Sequence, residues 1–124
     1  MDKTQIAATV IVAVTILLDI LTGLAKGAAA HDIDSAKMRR GLWHKSAYLI
    51  VIALAFTLEY GQRFVDMGFA VPLVVPVCVY VIGTETSSVL ENLVAINPEL
   101  ADNPLLGLFG RDGDGKPTDN GKDE

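Results

Sequence analysis

The sequence predicts an all-α integral membrane protein with about three transmembrane helices, a cytoplasmic amphipathic helix and a disordered C-terminal tail. The first observation behind this prediction is composition: hydrophobic residues make up 51% of the 124 residues, and the mean hydropathy is +0.40. The second is patterning, because the polar residues collect into blocks that separate long apolar stretches. A soluble domain of this size would spread polar residues over most of its surface, whereas long apolar stretches are typical of segments that cross lipid.

The first predicted span covers residues 6–26, and Asp19 is its one charge before Lys26. A signal peptide is the alternative for an N-terminal apolar stretch. This stretch is too long for one, and its start is too weakly basic. We therefore expect it to remain in the chain as a membrane span.

The second predicted span covers residues 42–60, of which residues 46–58 carry no charge. That core is short for a hydrocarbon layer about 30 Å thick, so we expect Lys45 and Glu59 to reach the headgroups at its two ends. Aromatic residues lie near both ends, as in the aromatic belts of membrane proteins. They are Trp43, Tyr48, Tyr60 and Phe64.

The third predicted span covers residues 67–84 and carries no charge. Its many valines also fit a buried strand, but Pro72 and Pro76 each lack the N–H that a central strand donates. A lone strand could not cross lipid, because its backbone groups would be unpaired. We expect a helix with Pro72 in its first turn and a kink at Pro76.

A second helical pattern follows the third span, over residues 84–96. Its apolar residues share one helical face, and Glu85, Ser88 and Asn92 share another. This pattern predicts an amphipathic helix that lies at the membrane interface and continues from the span.

The domain organisation follows from these elements. Asn97 and Pro98 should end the last helix, so residues 1–96 form one transmembrane helical domain. Residues 97–124 form a polar, acidic cytoplasmic tail, whose later part has almost no apolar residues and is expected to be disordered.

The distribution of cations predicts the orientation. The connection between the second and third spans has Arg63, offset by Asp66, and most other cations lie around the first connection. The positive-inside rule therefore places residues 27–41 in the cytoplasm, with the N-terminus outside and the C-terminus inside. These cations could also bind anionic lipid headgroups, although a topology signal explains them equally well. They are too few, and lack the interleaved aromatic residues, for a nucleic-acid surface. The basic residues are Lys26, Lys37, Arg39, Arg40 and Lys45.

Candidate chemistry is sparse in this sequence. No metal-ligand cluster, Gly-rich phosphate loop or nucleophile–base pair stands out, so we expect no catalytic residue, no cofactor and no metal. The informative feature is a polar line on the first span. Thr15, Asp19, Thr22 and Lys26 are spaced i, i+4, i+7 and i+11, which places them along one helix face.

Two glycines lie beside this polar line. Gly23 and Gly27 form a GxxxG motif, and small residues let helix backbones approach closely in lipid. We therefore predict an oligomer or pore face that is hidden from acyl chains, against another helix or along water. Its residues are Thr15, Asp19, Thr22, Gly23, Lys26 and Gly27. For Asp19 two roles remain open: a packing role through Lys26 or a neighbour's Lys45, or a charge that faces subunit contacts first and water later.

These pieces together resemble the toxin-secretion/phage-lysis group of phage holins. The resemblance begins with the stretch from Asp19 to Lys26 and continues in residues 35–38 and 41–45. It ends in the stretch from Glu85 to Asn92, followed by Pro98, so that it covers roughly residues 15–105. The order and spacing of the pieces carry it. The acidic tail departs from the basic tail of many holins. The further positions that match the motif are Ser35, Gly41, Lys45, Glu85, Ser88, Glu91 and Asn92.

The resemblance implies a non-enzymatic lysis protein of the bacterial inner membrane. Such proteins form homo-oligomers among membrane lipids and open lesions that release an endolysin, or a secreted protein, toward the cell wall. An antiholin is a further partner that the resemblance implies, and the endolysin needs no stable contact. Alternatives are an antiholin or a scaffold that assembles without opening a hole. A selective transporter would want a substrate site at mid-membrane and an internal repeat, and the sequence has neither.

Overall fold

The computed structural model describes residues 1–102, which form three long helices and a short one. The long helices are α1 (Lys3–Ala29), α2 (Ser35–Gly61) and α3 (Val74–Ile96), and a short 3-10 helix covers Pro98–Asp102. Each long helix is long and apolar enough to cross a membrane. The prediction of three helical spans is confirmed. The predicted disorder of the acidic tail falls mainly on residues 103–124, which lie outside the described residues.

The first two helices begin at acidic N-caps. The Asp2 carboxylate accepts from the Gln5 backbone N–H at 2.8 Å, and the Gln5 side chain accepts from the Asp2 backbone N–H at 3.2 Å, a capping box. Asp34 caps α2 by accepting from the N–H groups of Ala36 and Lys37. This cap starts α2 seven residues before the predicted span. The cations that we predicted in a loop therefore lie on its first turns.

The third helix begins at Val74, seven residues later than predicted. Residues 67–73 are not helical, because Gly68 has φ +80° and Pro72 disfavours helical backbone at the residue before it. The predicted roles of the two prolines were wrong. Pro72 precedes α3, and Pro76 lies in its first turn, where a missing N–H breaks no helical hydrogen bond.

The segment predicted as an amphipathic helix continuing from the third span is the second half of α3. The helix runs without a break from Val74 to Ile96 and ends at Asn97 and Pro98, as predicted. The residues of the predicted polar face are not all exposed. Glu85 is 2% exposed, and Asn92 is half-buried against α1. The interfacial helix is therefore not confirmed.

The three helices pack unequally. α1 and α3 pack along much of their length, α2 contacts α3 less, and α1 and α2 scarcely approach each other. The core is a small apolar cluster contributed by all three helices, and the outward faces carry exposed Leu, Ile and Val side chains. Such a surface suits lipid, which is as apolar as these side chains. The core residues are Ala8, Val12, Ile52, Ala55, Val74, Cys78 and Val81.

Candidate functional site

Two polar clusters join the three helices at different heights. The Lys45 cluster consists of Asp19, Thr22, Lys45, Glu85 and Asn92. The Glu59 cluster consists of Glu59, Gln5 and the backbone N–H groups of Leu73 and Val74. Lys45 and Glu59 are fourteen residues apart on α2, about 21 Å along the helix axis. The apolar core lies between the two clusters.

The Lys45 ammonium bridges two carboxylates from the other two helices. Its Nζ lies 2.6 Å from Asp19 Oδ2 on α1 and 3.0 Å from Glu85 Oε2 on α3. The Glu85 side chain is 2% exposed, and those of Lys45 and Asp19 are 14% and 13% exposed. Charged groups at such depth are costly unless paired, so this contact satisfies all three at once.

Asn92 adds hydrogen bonds from a neutral amide to the same cluster. Its Nδ2 donates to Asp19 Oδ1 at 2.9 Å and to Thr22 Oγ1 at 3.0 Å. Gly23 lies beside it, because a Cβ at residue 23 would be 3.8 Å from Asn92 Nδ2. α1 and α3 are therefore joined at this height by an amide as well as by charge, and Gly23 lies at this contact.

The residues of the polar face predicted on α1 have different surroundings in the structure. Asp19, Thr22 and Gly23 lie against α3 of the same chain. Gly27 lies against the turn between α1 and α2, where a Cβ would be 3.3 Å from the Asp32 carbonyl oxygen. The Thr15 hydroxyl donates to backbone carbonyls within α1, and Lys26 is exposed. The role of this face in subunit contact stays a prediction.

The motif positions of α2 and α3 meet at the same place. Lys45, Glu85 and Asn92 converge on Asp19, although Asp19 and Asn92 are 73 residues apart in sequence. Gly41 and Ser88 line a crevice beside them. Of the two remaining positions, Ser35 is the exposed first residue of α2, and Glu91 is exposed on α3.

Glu59 joins the helices at the opposite end of the bundle. Its Oε1 accepts from the N–H groups of Leu73 and Val74, both at 2.7 Å, and its Oε2 accepts from Gln5 Nε2 at 2.8 Å. A carboxylate is favoured there by the dipole and the unsatisfied N–H groups of the α3 N-terminus. Lys45 and Glu59 therefore both bind groups of the other helices, and their contact with headgroups stays a prediction.

Sequence reasoning missed Gln5 as a contact between helices. The pattern Asp2-x-x-Gln5 does signal the start of α1. Nothing in it indicates a partner 54 residues away. Trp43, Tyr60 and Phe64 are exposed, while Tyr48 packs against the core, and the aromatic belts stay a prediction.

Two crevices reach the Lys45 cluster. One, of about 330 Å³, lies between α1 and the start of α2 and is lined by Asp19, Gly23, Lys26 and Gly41 among others. The second, of about 310 Å³, lies between α2 and α3. Within residues 1–102, no group of His, Cys, Asp and Glu side chains is arranged to hold a metal ion.

The comparison with known protein families agrees with this architecture. Residues 4–102 match the bacteriophage holin family, from the first turn of α1 to the end of the 3-10 helix. No curated protein and no solved structure matches the chain significantly. The match covers most of the chain and confirms the resemblance drawn from the motifs. This multi-pass membrane protein, with its charged cluster shared by three helices, belongs to the bacteriophage holin family.

Proposed function

We propose that the chain is a non-enzymatic phage holin that oligomerises in the bacterial inner membrane. Its lesions release an endolysin, or another exported protein, to the cell wall, and host lysis follows. The observation that carries this proposal is the family match over all three helices. Membrane lipids and further copies of the chain are its partners, with an antiholin as a regulator and the endolysin as a functional partner without stable contact.

The arrangement of charge supports accumulation in the membrane before any lesion forms. The chain buries the charges of Asp19, Lys45 and Glu85 against one another, and its outward faces are largely apolar. A chain of this kind can stay in lipid without exposing unpaired charge. Three helices packed around a small apolar core are too few to surround a protein-sized hole, so a lesion requires several copies.

Predicted subunit contacts use the part of the α1 polar face that is not covered within the chain. Lys26 is exposed, and Gly27 is half-buried near the turn. These residues lie at one end of the bundle, which we call the basic end. The other cations of this end are Lys37, Arg39 and Arg40. The positive-inside rule then supports a cytoplasmic basic end, an outward N-terminus and an inward C-terminus.

The function is tested by expression in a bacterium with an endolysin that lacks a secretion signal. We expect a delayed collapse of membrane potential, followed by lysis. Cells that carry the endolysin alone and are treated with an uncoupler provide the control, because they lose potential without a protein-sized hole. Cells that keep their potential at high expression would contradict the proposal and favour an antiholin or scaffold.

The orientation is tested with single cysteines in a chain that carries Cys78→Ala. Thr4, Ser35, Asp66 and Ala101 are exposed and lie near the two ends of the bundle. In intact spheroplasts an impermeant thiol reagent should label Thr4→Cys and Asp66→Cys but not Ser35→Cys or Ala101→Cys. The opposite pattern would reverse the proposed orientation without touching the proposed function.

A further inference from the structure

The two halves of α2 are attached to the bundle in different ways. From Ser35 to His44 no residue is buried, whereas Ile52 and Ala55 in the second half belong to the core. Phe56 also packs against that core, and Glu59 hydrogen bonds to residues at the starts of α1 and α3. Apolar packing therefore holds the second half, and the first half lacks it.

The crevices explain why the first half of α2 is loosely held. One separates it from α1 and the other separates it from α3, and Gly41 and Lys45 line both. Between these spaces, Lys45 supplies the ion pairs that connect this half to Asp19 and Glu85. α1 and α3, by contrast, pack against each other directly and share the Asn92 hydrogen bonds.

We propose that α2 is the movable helix of this fold: its basic half separates from the α1–α3 pair when Lys45 leaves Asp19 and Glu85, and it turns about the Glu59 cluster. The turn of residues 30–34 permits this motion, since five extended residues span up to about 17 Å. The separation uncovers the carboxylates of Asp19 and Glu85. A chain that was compatible with lipid then has a charged face.

This motion deepens the proposed function. A charged face in lipid must be covered by another copy or by water, so the consequence of the motion for lesion formation rests on that function. The motion itself is a property of one chain and is measured without any lysis assay. Its failure and a failure of the proposed function are therefore distinguishable.

The measurement is a pair of distances between spin labels on the full chain in lipid vesicles, in a Cys78→Ala background. One label pair, at Arg39 and Ala95, reports the basic end, and a second, at Thr57 and Val79, reports the other half of α2. All four residues are exposed. An excess of unlabelled chain suppresses distances between copies. Lys45→Met then removes the cation from both ion pairs.

We expect Lys45→Met to lengthen the distance at the basic end by about 5 Å or more, roughly half a helix diameter. The distance between residues 57 and 79 should stay unchanged, which also shows that the bundle is still folded. Lys45→Arg keeps the charge and should leave both distances unchanged. Lys26→Met should also leave both distances unchanged, because Lys26 makes no ion pair within residues 1–102. An unchanged basic end would overturn the proposal, and so would equal lengthening at both places.

Cross-linking extends the test to lesion formation. Gly41 and Ser88 line the crevice between α2 and α3, so Gly41→Cys with Ser88→Cys allows a bifunctional maleimide to fix α2 to α3. The matched control treats the same double-cysteine chain with a monofunctional maleimide, which modifies both thiols without joining the helices. The cross-link should abolish loss of membrane potential, and the monofunctional reagent should leave it intact. Undiminished loss after the cross-link would overturn the role of α2 movement.

Discussion

The Lys45 cluster and the Glu59 cluster each join all three helices, but they do so with different chemistry. Glu59 binds backbone N–H groups at a helix start and a neutral amide. Lys45 binds two carboxylates, so that one positive charge faces two negative charges. The Glu59 contacts therefore need an acceptor, which a neutral group can supply. The Lys45 contacts need a positive charge. Burial of the Asp19 and Glu85 carboxylates becomes unfavourable when that charge is lost.

The largest expected effect is that of Lys45→Met. The substitution keeps a long side chain but leaves Asp19 and Glu85 facing each other without their cation. Removal of one partner of a buried ion pair destabilises proteins by about 3–5 kcal/mol. We expect a loss of that size in unfolding measured by circular dichroism in detergent micelles. Lys45→Arg is the control and should retain most of the stability. A stable Lys45→Met protein would mean that the cluster contributes little.

A smaller effect is expected at Glu59. Glu59→Ala leaves the N–H groups of Leu73 and Val74 without their acceptor, at a cost of about 1–3 kcal/mol. Hydrogen exchange should accelerate at these two amides, with little change at the Lys45 cluster. Glu59→Gln keeps a side-chain oxygen and should lose much less protection. If the Gln and Ala variants exchanged equally fast, the charge of Glu59 would matter more than its role as an acceptor.

The smallest effect is expected for Asp19→Asn. This change removes one of the two negative charges and leaves Lys45 paired with Glu85, so the remaining charges balance. An asparagine can still accept from Asn92, and we expect a loss of about 1 kcal/mol, typical of a single hydrogen bond. The same unfolding measurement checks it. A loss as large as that of Lys45→Met would show that Asp19, rather than Glu85, is the essential partner.

The sequence was sufficient to predict the three spans, but not to predict which helix covers the polar face of each span. Hydropathy predicted three helices, and helical spacing placed Asp19 and Thr22 on one hidden face. That spacing orders residues on one helix but does not say which helix covers them. The covering helix is α3 of the same chain, and the contact between Asn92 and Asp19 joins residues 73 positions apart.

The errors at the ends of the helices have local causes. Lys45 and Glu59 have ion and hydrogen-bond partners on other helices, which the length of the span could not predict. Both Pro72 and Pro76 fit a first helical turn, so composition could not choose between them. The bonds from Glu59 to the Leu73 and Val74 N–H groups fix the start of α3 at Val74.

A charge exchange tests the central claim most directly, namely that Lys45 and Glu85 pair within one chain. Lys45→Glu alone places three carboxylates together, and we expect it to lower the unfolding temperature strongly. Adding Glu85→Lys to the same chain restores one cation between two carboxylates and should recover most of that loss. Co-expression of two chains that each carry one of the substitutions should not recover the unfolding temperature. Equal recovery on separate chains, or no recovery on one chain, would contradict the account.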